Sequence, residues 1–334
     1  MDENLLTFII CPNCKSDSLS LEPYVRKNNQ VHEGVVTCES CKTWYRVEDG
    51  ILDLLPLSLR RFELYKQFAQ KHDLPMHGMG TDSANLQKKE QILFFKDNVS
   101  HYDKDITEST YFRALDKVTF ENWLNRNFEK IDKPVLELGC GTGQQTVQIA
   151  KKSKNAVCLD ISEEMVIKVK EKIDQLQFPG NRHFIVGDAE DPPVKDNMFG
   201  ACIICSTLHH VSSPDQAIRN LSNKLIDGGL FFSSDPHDSY VRFIFDFLMK
   251  VWKLHDEKAS DDPLIKEKCL KKWLADAKIQ GRIKFSTYLP PHIFLFLTEE
   301  TSTALLSRTD TIFNSVPGFR KFSGLIYAEG IKAE

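Results

Sequence analysis

The stretch Val135-Leu-Glu-Leu-Gly-Cys-Gly-Thr-Gly143 constrains this chain more than any other. A short apolar run delivers a carboxylate, Glu137, and then opens into glycines at alternate positions, Gly139, Gly141 and Gly143. Without Cβ atoms such a segment turns tightly and brings backbone N–H groups close to a ligand. The residues that follow, Thr142 to Lys152, read as a helix, and the next apolar run ends in a second acid, Asp160. Strand, glycine turn, helix and trailing acid form the start of a doubly wound α/β sheet with a nucleotide-type site. A glycine turn made for packing alone is the plainer reading, but it leaves the acids Asp160 and Asp188 at two strand ends without a purpose.

The spacing selects among nucleotides. The dinucleotide fingerprint G-x-G-x-x-G/A has Gln144 at its last position here, and the chain reads G-x-G-x-G instead. Glu137 suits a ligand with a positive end and would repel a pyrophosphate. A nicotinamide-linked dehydrogenase, which Asp160 would also suit, is the rival enzyme, and those two features count against it. With its first motif E/D-x-G-x-G-x-G, the chain resembles the class I S-adenosylmethionine-dependent methyltransferases, of the quinone-biosynthesis-like kind. The resemblance runs from Pro134 to about Pro236. It implies a doubly wound, seven-stranded Rossmann-like sheet in which Asp160, in Val-Cys-Leu-Asp160-Ile-Ser, holds the ribose hydroxyls. Asp188 and Ala189, in Val-Gly-Asp188-Ala-Glu, then flank the adenine. Phe199-Gly-Ala-Cys-Ile-Ile-Cys-Ser-Thr-Leu-His-His-Val matches the fourth strand and its loop, with Cys205 beside the cofactor. Leu225-Ile-Asp-Gly-Gly-Leu-Phe-Phe matches the turn into strand five. Gly200 departs from the pattern, since many relatives carry an Asp there.

At 334 residues the chain exceeds one catalytic domain by roughly a hundred residues or more. Hydrophobic content of 41% and charged content of 27% are those of a soluble globular protein. The start, Met-Asp-Glu, lacks the basic region and apolar core of a signal peptide, and no apolar run approaches the ~18 residues that span a bilayer. A net charge of −4 gives no general attraction to nucleic acid. The expected location is the cytoplasm.

Nine cysteines fall into two groups. Cys140, Cys158, Cys202, Cys205 and Cys269 are scattered, as small buried hydrophobes are in a reducing compartment. Cys11, Cys14, Cys38 and Cys41 form two C-x-x-C knuckles separated by 23 residues, close to a zinc-ribbon spacing. Four thiolates leave no open position on a tetrahedral ion, so a zinc here is structural. Two disulfides, disfavoured in the cytoplasm, or four metal-free thiols are the other readings. Residues 10–56, ending in Trp44-Tyr-Arg-Val-Glu-Asp-Gly50-Ile-Leu-Asp-Leu-Leu-Pro56, also resemble the small zinc-ribbon family that activates tRNA and protein methyltransferases. Because both parts lie on one chain, that resemblance implies intramolecular docking of the ribbon on the catalytic domain. A fused ribbon is also similar to those of rRNA guanine methyltransferases, where it grips RNA. Residues 1–60, however, hold six Lys/Arg against nine Asp/Glu, the wrong balance for gripping phosphates.

The expected organisation is a zinc ribbon over residues 1–58, a helical linker and cofactor lid over 59–133, and the methyltransferase domain over 134–334. Helices are expected from Leu59 to Asp73, Asn85 to Asp97 and about Ser109 to Glu129, with a loop from Leu74 to Gly80. Tyr102 either covers the methionine end of the cofactor or packs under the lid. The apolar stretch Tyr240 to Leu254 and an insertion over about 288–320, before a last strand Gly324 to Ile331, are rich in aromatic residues. They shape a greasy acceptor pocket, suited to a lipid, quinone or aromatic substrate and to peripheral membrane contact, or they are core and dimer contacts. His209, His210 and His237 follow strands four and five at the carboxyl edge, where one of them can act as a base or merely shape its loop. Cys205 as a nucleophile lacks a partner. The leading function is methyl transfer to a small hydrophobic acceptor. An RNA methyltransferase and a catalytically silent cofactor-binding module are the alternatives.

Overall fold

In the computed structural model, which describes residues 1–76, 86–241, 244, 247–248, 251 and 264–334, eleven strands form one sheet. The first four, β1 (Leu19–Lys27), β2 (Gln30–Cys38), β3 (Trp44–Glu48) and β4 (Ile51–Asp53), are an antiparallel meander. The others are β5 (Val135–Leu138), β6 (Asn155–Asp160), β7 (Asn181–Val186), β8 (Phe199–Cys205), β9 (Leu225–Pro236), β10 (Ile279–Ser286) and β11 (Leu325–Lys332). Across the sheet they run β7-β6-β5-β8-β9-β11-β10, all parallel except β11. The chain winds outward from β5 to β7 and returns to β8 on the other side of β5, which opens a crevice at the carboxyl ends of those strands. Strands β5 to β11 number seven, and the ribbon extends the sheet to eleven because β4 pairs in parallel with β7, Leu52 opposite Ile185 and Asp53 opposite Val186. Without the ribbon, β7 would be an open edge.

The helices are α1 (Phe62–His72), α2 (Leu86–Glu108), α3 (Thr110–Asp116), α4 (Asn122–Asn127), α5 (Gln144–Lys152), α6 (Glu163–Leu176), α7 (Pro214–Lys224), α8 (Glu267–Asp276) and α9 (Glu299–Ser315). They cover both faces of the sheet, and side chains sort by strand alternation. Leu136 and Leu138 of β5 pack in one apolar layer with Ile218 and Leu221 of α7 and Leu270 of α8. Val135 packs in the other with Trp123, Ile149 and Val166, so Glu137 faces that second layer. Tyr45, Val47 and Leu52 of the ribbon belong to the same apolar layer as Leu136, Leu159 and Ile185.

Two helices depart from expectation. Helix α2 runs on past Asp97 to Glu108, since nothing in its sequence breaks a helix and Asp103 is held by Lys172 of α6 at 2.8 Å. The long helix expected over Ser109 to Glu129 is broken by a π turn at Lys117–Glu121, where Thr119 Oγ1 donates to the Leu115 carbonyl at 2.7 Å and competes with the backbone ladder. Gly200 is the second residue of β8, at its amino end, and a Cβ there would come within 3.0 Å of Lys133. Its glycine serves packing, at the edge of the sheet opposite the crevice. Asn85, most of the loop Leu74 to Gly80 and much of the stretch Tyr240 to Leu254 lie outside the described residues. Among the described residues no helix is long and apolar enough to cross a membrane.

A buried ion network rivets the ribbon to the α/β core. Arg46 of β3, 3% exposed at its side chain, meets Asp53 at 3.4 Å and also pairs with Glu48 and with Glu163 at the head of α6. Arg61 pairs with Glu163 and Glu164. Replacing Arg46 by Ala leaves the buried Asp53 without its counter-charge and Glu163 with Arg61 alone, at an expected cost of about 3 kcal/mol or more in unfolding free energy. Denaturant titration checks this; a loss under about 1 kcal/mol would place the network among exposed ion pairs of little weight.

Candidate cofactor cleft and metal centre

The glycine turn is shaped by what surrounds it. Gly139 has φ +69°, and a Cβ on it would fall 2.0 Å from Thr207 Oγ1; Gly143, φ +92°, caps α5 with Val169 2.5 Å from any added Cβ. The turn is tied to the end of β6: the Gly139 and Cys140 N–H groups donate to the Leu159 carbonyl at 2.8 and 3.0 Å. Asp160 completes the clamp. Its Oδ2 accepts from the Gly141 N–H and its Oδ1 from the Ser162 N–H, both at 2.9 Å, while burial pushes its carboxyl above the usual range.

Gly139, Gly141, Asp160, Asp188, Ala189 and Cys205 line one cleft, with about 990 Å³ of empty space. Its opposite wall is α2, which contributes Lys88, Gln91, Phe95 and Tyr102 from a single helical face. His210 also lines the cleft; Phe95 meets the rings of His210 and Tyr102 edge-on, at 5.8 and 5.9 Å between centroids. Sequence reasoning missed Lys88. Its ammonium bonds Asp188 Oδ2 at 2.6 Å and Glu190 Oε2 at 2.9 Å, so it bridges α2 and the loop after β7. The signal that could have found it is the repeat 88, 91, 95, 102 along one face of α2.

Four of the expected site residues stand off the wall. Glu137, 2% exposed, lies behind the turn and accepts from Thr146 Oγ1 at 2.7 Å; burial pushes its carboxyl up to about 7, against that hydrogen bond. Gly143 caps α5. His209 lies with Nδ1 2.9 Å from Asp235 Oδ1. His237 is buried with Nδ1 2.8 Å from Ser323 Oγ and its ring against Phe285, and burial lowers its pKa. Burial pushes the Cys205 thiol well up, which makes it a poor nucleophile.

At the far end of the ribbon, Cys11, Cys14, Cys38 and Cys41 bring their sulfurs within 4.8 Å of one another. The Cys11–Cys41 and Cys14–Cys38 separations are 3.6 and 3.5 Å, and all four cysteines are free of disulfides. Thiolates about 2.3 Å from a tetrahedral ion sit at close to that spacing, so the set can hold a metal. Tyr45, with its hydroxyl 3.0 Å from Cys11 Sγ, backs the cluster from the core.

Residues 136–233 match the family model of the methyltransferase domain, and residues 2–50 match that of the Trm112p-like proteins. The biotin biosynthesis bifunctional protein BioHC of Teredinibacter turnerae is 27% identical over 157 residues, 45% of this chain and 27% of that one. The ubiquinone/menaquinone biosynthesis C-methyltransferase UbiE of Shewanella sediminis is 34% identical over 119 residues, 34% of this chain and 47% of that one. The chain thus spans less than half the length of these curated relatives. Magnesium protoporphyrin IX methyltransferase from Synechocystis, solved with bound SAH, shares the fold with a TM-score of 0.53 at 14% identity, over 74% of this chain and 100% of that one. An S-adenosylmethionine-dependent methyltransferase domain of Rossmann-like fold is therefore part of this chain, behind a Trm112p-like segment.

The buried acids give stability a pH dependence. Burial holds Glu137 and Asp116 at about 7, above the ordinary carboxylate range. Both bind a proton in the folded chain that the unfolded chain has released, so their contribution is full below about pH 4 and is lost as pH rises through about 7. Glu137→Gln removes one share of that loss, on the order of 2 kcal/mol between about pH 5 and 8. Thermal unfolding across that range should give a flatter profile for the variant than for the parent. Parallel profiles would mean that Glu137 is ionised throughout.

Proposed function

We propose that this chain transfers a methyl group from S-adenosylmethionine to a small hydrophobic acceptor, a lipid, quinone or aromatic compound. The observation that carries the reading is the convergence of the glycine turn, Asp160 and Asp188 on one cleft under a helix that bears Tyr102. In this reading Asp160 holds the ribose hydroxyls, and Asp188 and Ala189 hold the adenine edge. Gly139 and Gly141 let the backbone approach, with Gly143 and the carboxylate of Glu137 supporting the turn from behind. Cys205 packs beside the reacting end, and Tyr102 covers the methionine end. The cofactor's sulfonium supplies an already activated methyl group. The chain's own work is to align the acceptor, exclude water with α2 and take up a proton where the acceptor releases one. His210 has the best position for that proton; His209 and His237 are engaged by Asp235 and Ser323 and serve the loop or stand in reserve.

The names of the ubiquinone/menaquinone relatives favour a quinone-like acceptor, as do the exposed Phe296 and Phe319 of the C-terminal insertion and Phe322 just after it, which also suit peripheral membrane contact. RNA is the alternative acceptor, and the acidic balance of the ribbon speaks against it. With radiolabelled S-adenosylmethionine and a cell extract depleted of this enzyme, label should partition into the organic phase; label in RNA would overturn the acceptor class. Asp160→Ala should weaken S-adenosylmethionine binding more than about tenfold by calorimetry, since a charge-assisted hydrogen bond is lost. Equal affinity would sink the ribose assignment.

The cysteine cluster fits a structural zinc that fixes the ribbon against the catalytic core, in a cytoplasmic setting that keeps thiols reduced. Purified chain should carry about one zinc, and Cys14→Ser should lose it together with several degrees of melting temperature. A metal-free chain that melts as high as a zinc-loaded one would end the zinc reading.

A further inference from the structure

We propose that Asp235 is a positioning residue of this site, acting on His210 through His209. The proposal rests on the methyl-transfer reading of the cleft. Asp235 stands near the end of β9, 2% exposed, at the carboxyl edge of the sheet. One of its oxygens, Oδ1, serves His209 twice: it accepts the backbone N–H at 3.3 Å and lies 2.9 Å from the ring Nδ1. The other, Oδ2, is buried with no hydrogen-bond partner among the described residues. A carboxylate buried with half of its accepting capacity unused is a poor stabiliser, so its presence calls for another account.

Geometry provides one. With Oδ1 as acceptor, His209 carries its proton on Nδ1, and its ring is fixed in tautomer and orientation. That ring lies 3.8 Å from the ring of His210, centroid to centroid. His210 is further held by Gln91, which donates to its carbonyl, and by the edge of Phe95. A line of contacts thus runs from β9 through Asp235, His209 and His210 to Phe95 and Tyr102 on the lid. Asp235 touches neither cofactor nor acceptor in this arrangement; it sets where the His210 imidazole stands on the cleft wall.

Long-range proton–nitrogen spectra of the full chain with labelled histidine, recorded at about pH 8, read the two rings directly. The parent should show His209 protonated on Nδ1. Asp235→Ala should shift its tautomer ratio by about tenfold or more toward Nε2–H and move the His210 signals, as the loss of a hydrogen bond to a charged group requires. Asp235→Asn, which keeps an accepting oxygen, should restore both. His209→Gln, with Asp235 intact, should move the His210 signals even if Asp235→Ala does not fold. His209 protonated on Nε2 in the parent, or His210 signals unmoved by Asp235→Ala and His209→Gln, overturns the proposal. Calorimetry of the parent with S-adenosylmethionine reads the underlying function separately: no binding there overturns the methyl-transfer reading, whatever the tautomers show.

Discussion

The edge of β7 is where the structure is held together. A parallel strand at the border of a doubly wound sheet exposes a row of backbone donors and acceptors, and β4 of the ribbon pairs with the carboxyl end of that row, at Ile185 and Val186. The consequence reaches the site, because β7 leads directly into Asp188, and the Leu54 N–H just after β4 donates to the Val186 carbonyl at 2.8 Å. Arg46 and Arg61 extend the same joint to the head of α6, whose N-cap, Ser162, is bonded to Asp160. Both acids of the cleft therefore stand one step from a ribbon contact.

The second constraint is electrostatic. Glu137, Asp116 and Asp160 are all buried around the glycine turn, and burial raises all three. Hydrogen bonds from Thr146, Gln145 and backbone N–H groups relieve part of that cost. A ligand with a cationic end relieves more, since an opposite charge favours the ionised carboxylates. Under the proposed function the site is thus strained when empty and relaxed when loaded, the direction that favours tight cofactor binding.

The legible and illegible parts of this molecule differ in kind. The glycine turn was readable because a backbone that must approach a ligand admits few residue types, at fixed spacing, and Gly139 and Gly143 leave no room for a Cβ. The paired cysteines were readable for the same reason: four ligands to one ion need a set spacing. The join of β4 to β7 carries no such signature, since it is made by backbone groups that every residue has. Lys88 looks like a surface lysine until the fold brings Asp188, a hundred residues away, against it. The histidines show the limit most clearly. Their chain positions put all three at the carboxyl edge, but Ser323 holds His237, Asp235 holds His209, and His210 alone of the three stands on the cleft wall.

The lid then has a definite electrostatic logic. Lys88 brings the only charge that α2 places on the cleft wall among the described residues, and it offsets one of the two charges of the Asp188–Glu190 pair. Glu190 in turn accepts from the Ser212 and Ser213 N–H groups, at the end of the loop that carries His209 and His210. One ammonium on α2 thus ties the Asp188 side of the cleft to the histidine loop. Under the proposed function, an adenine amino group arriving at Asp188 competes with or joins that ammonium, so cofactor loading and lid position are a single equilibrium.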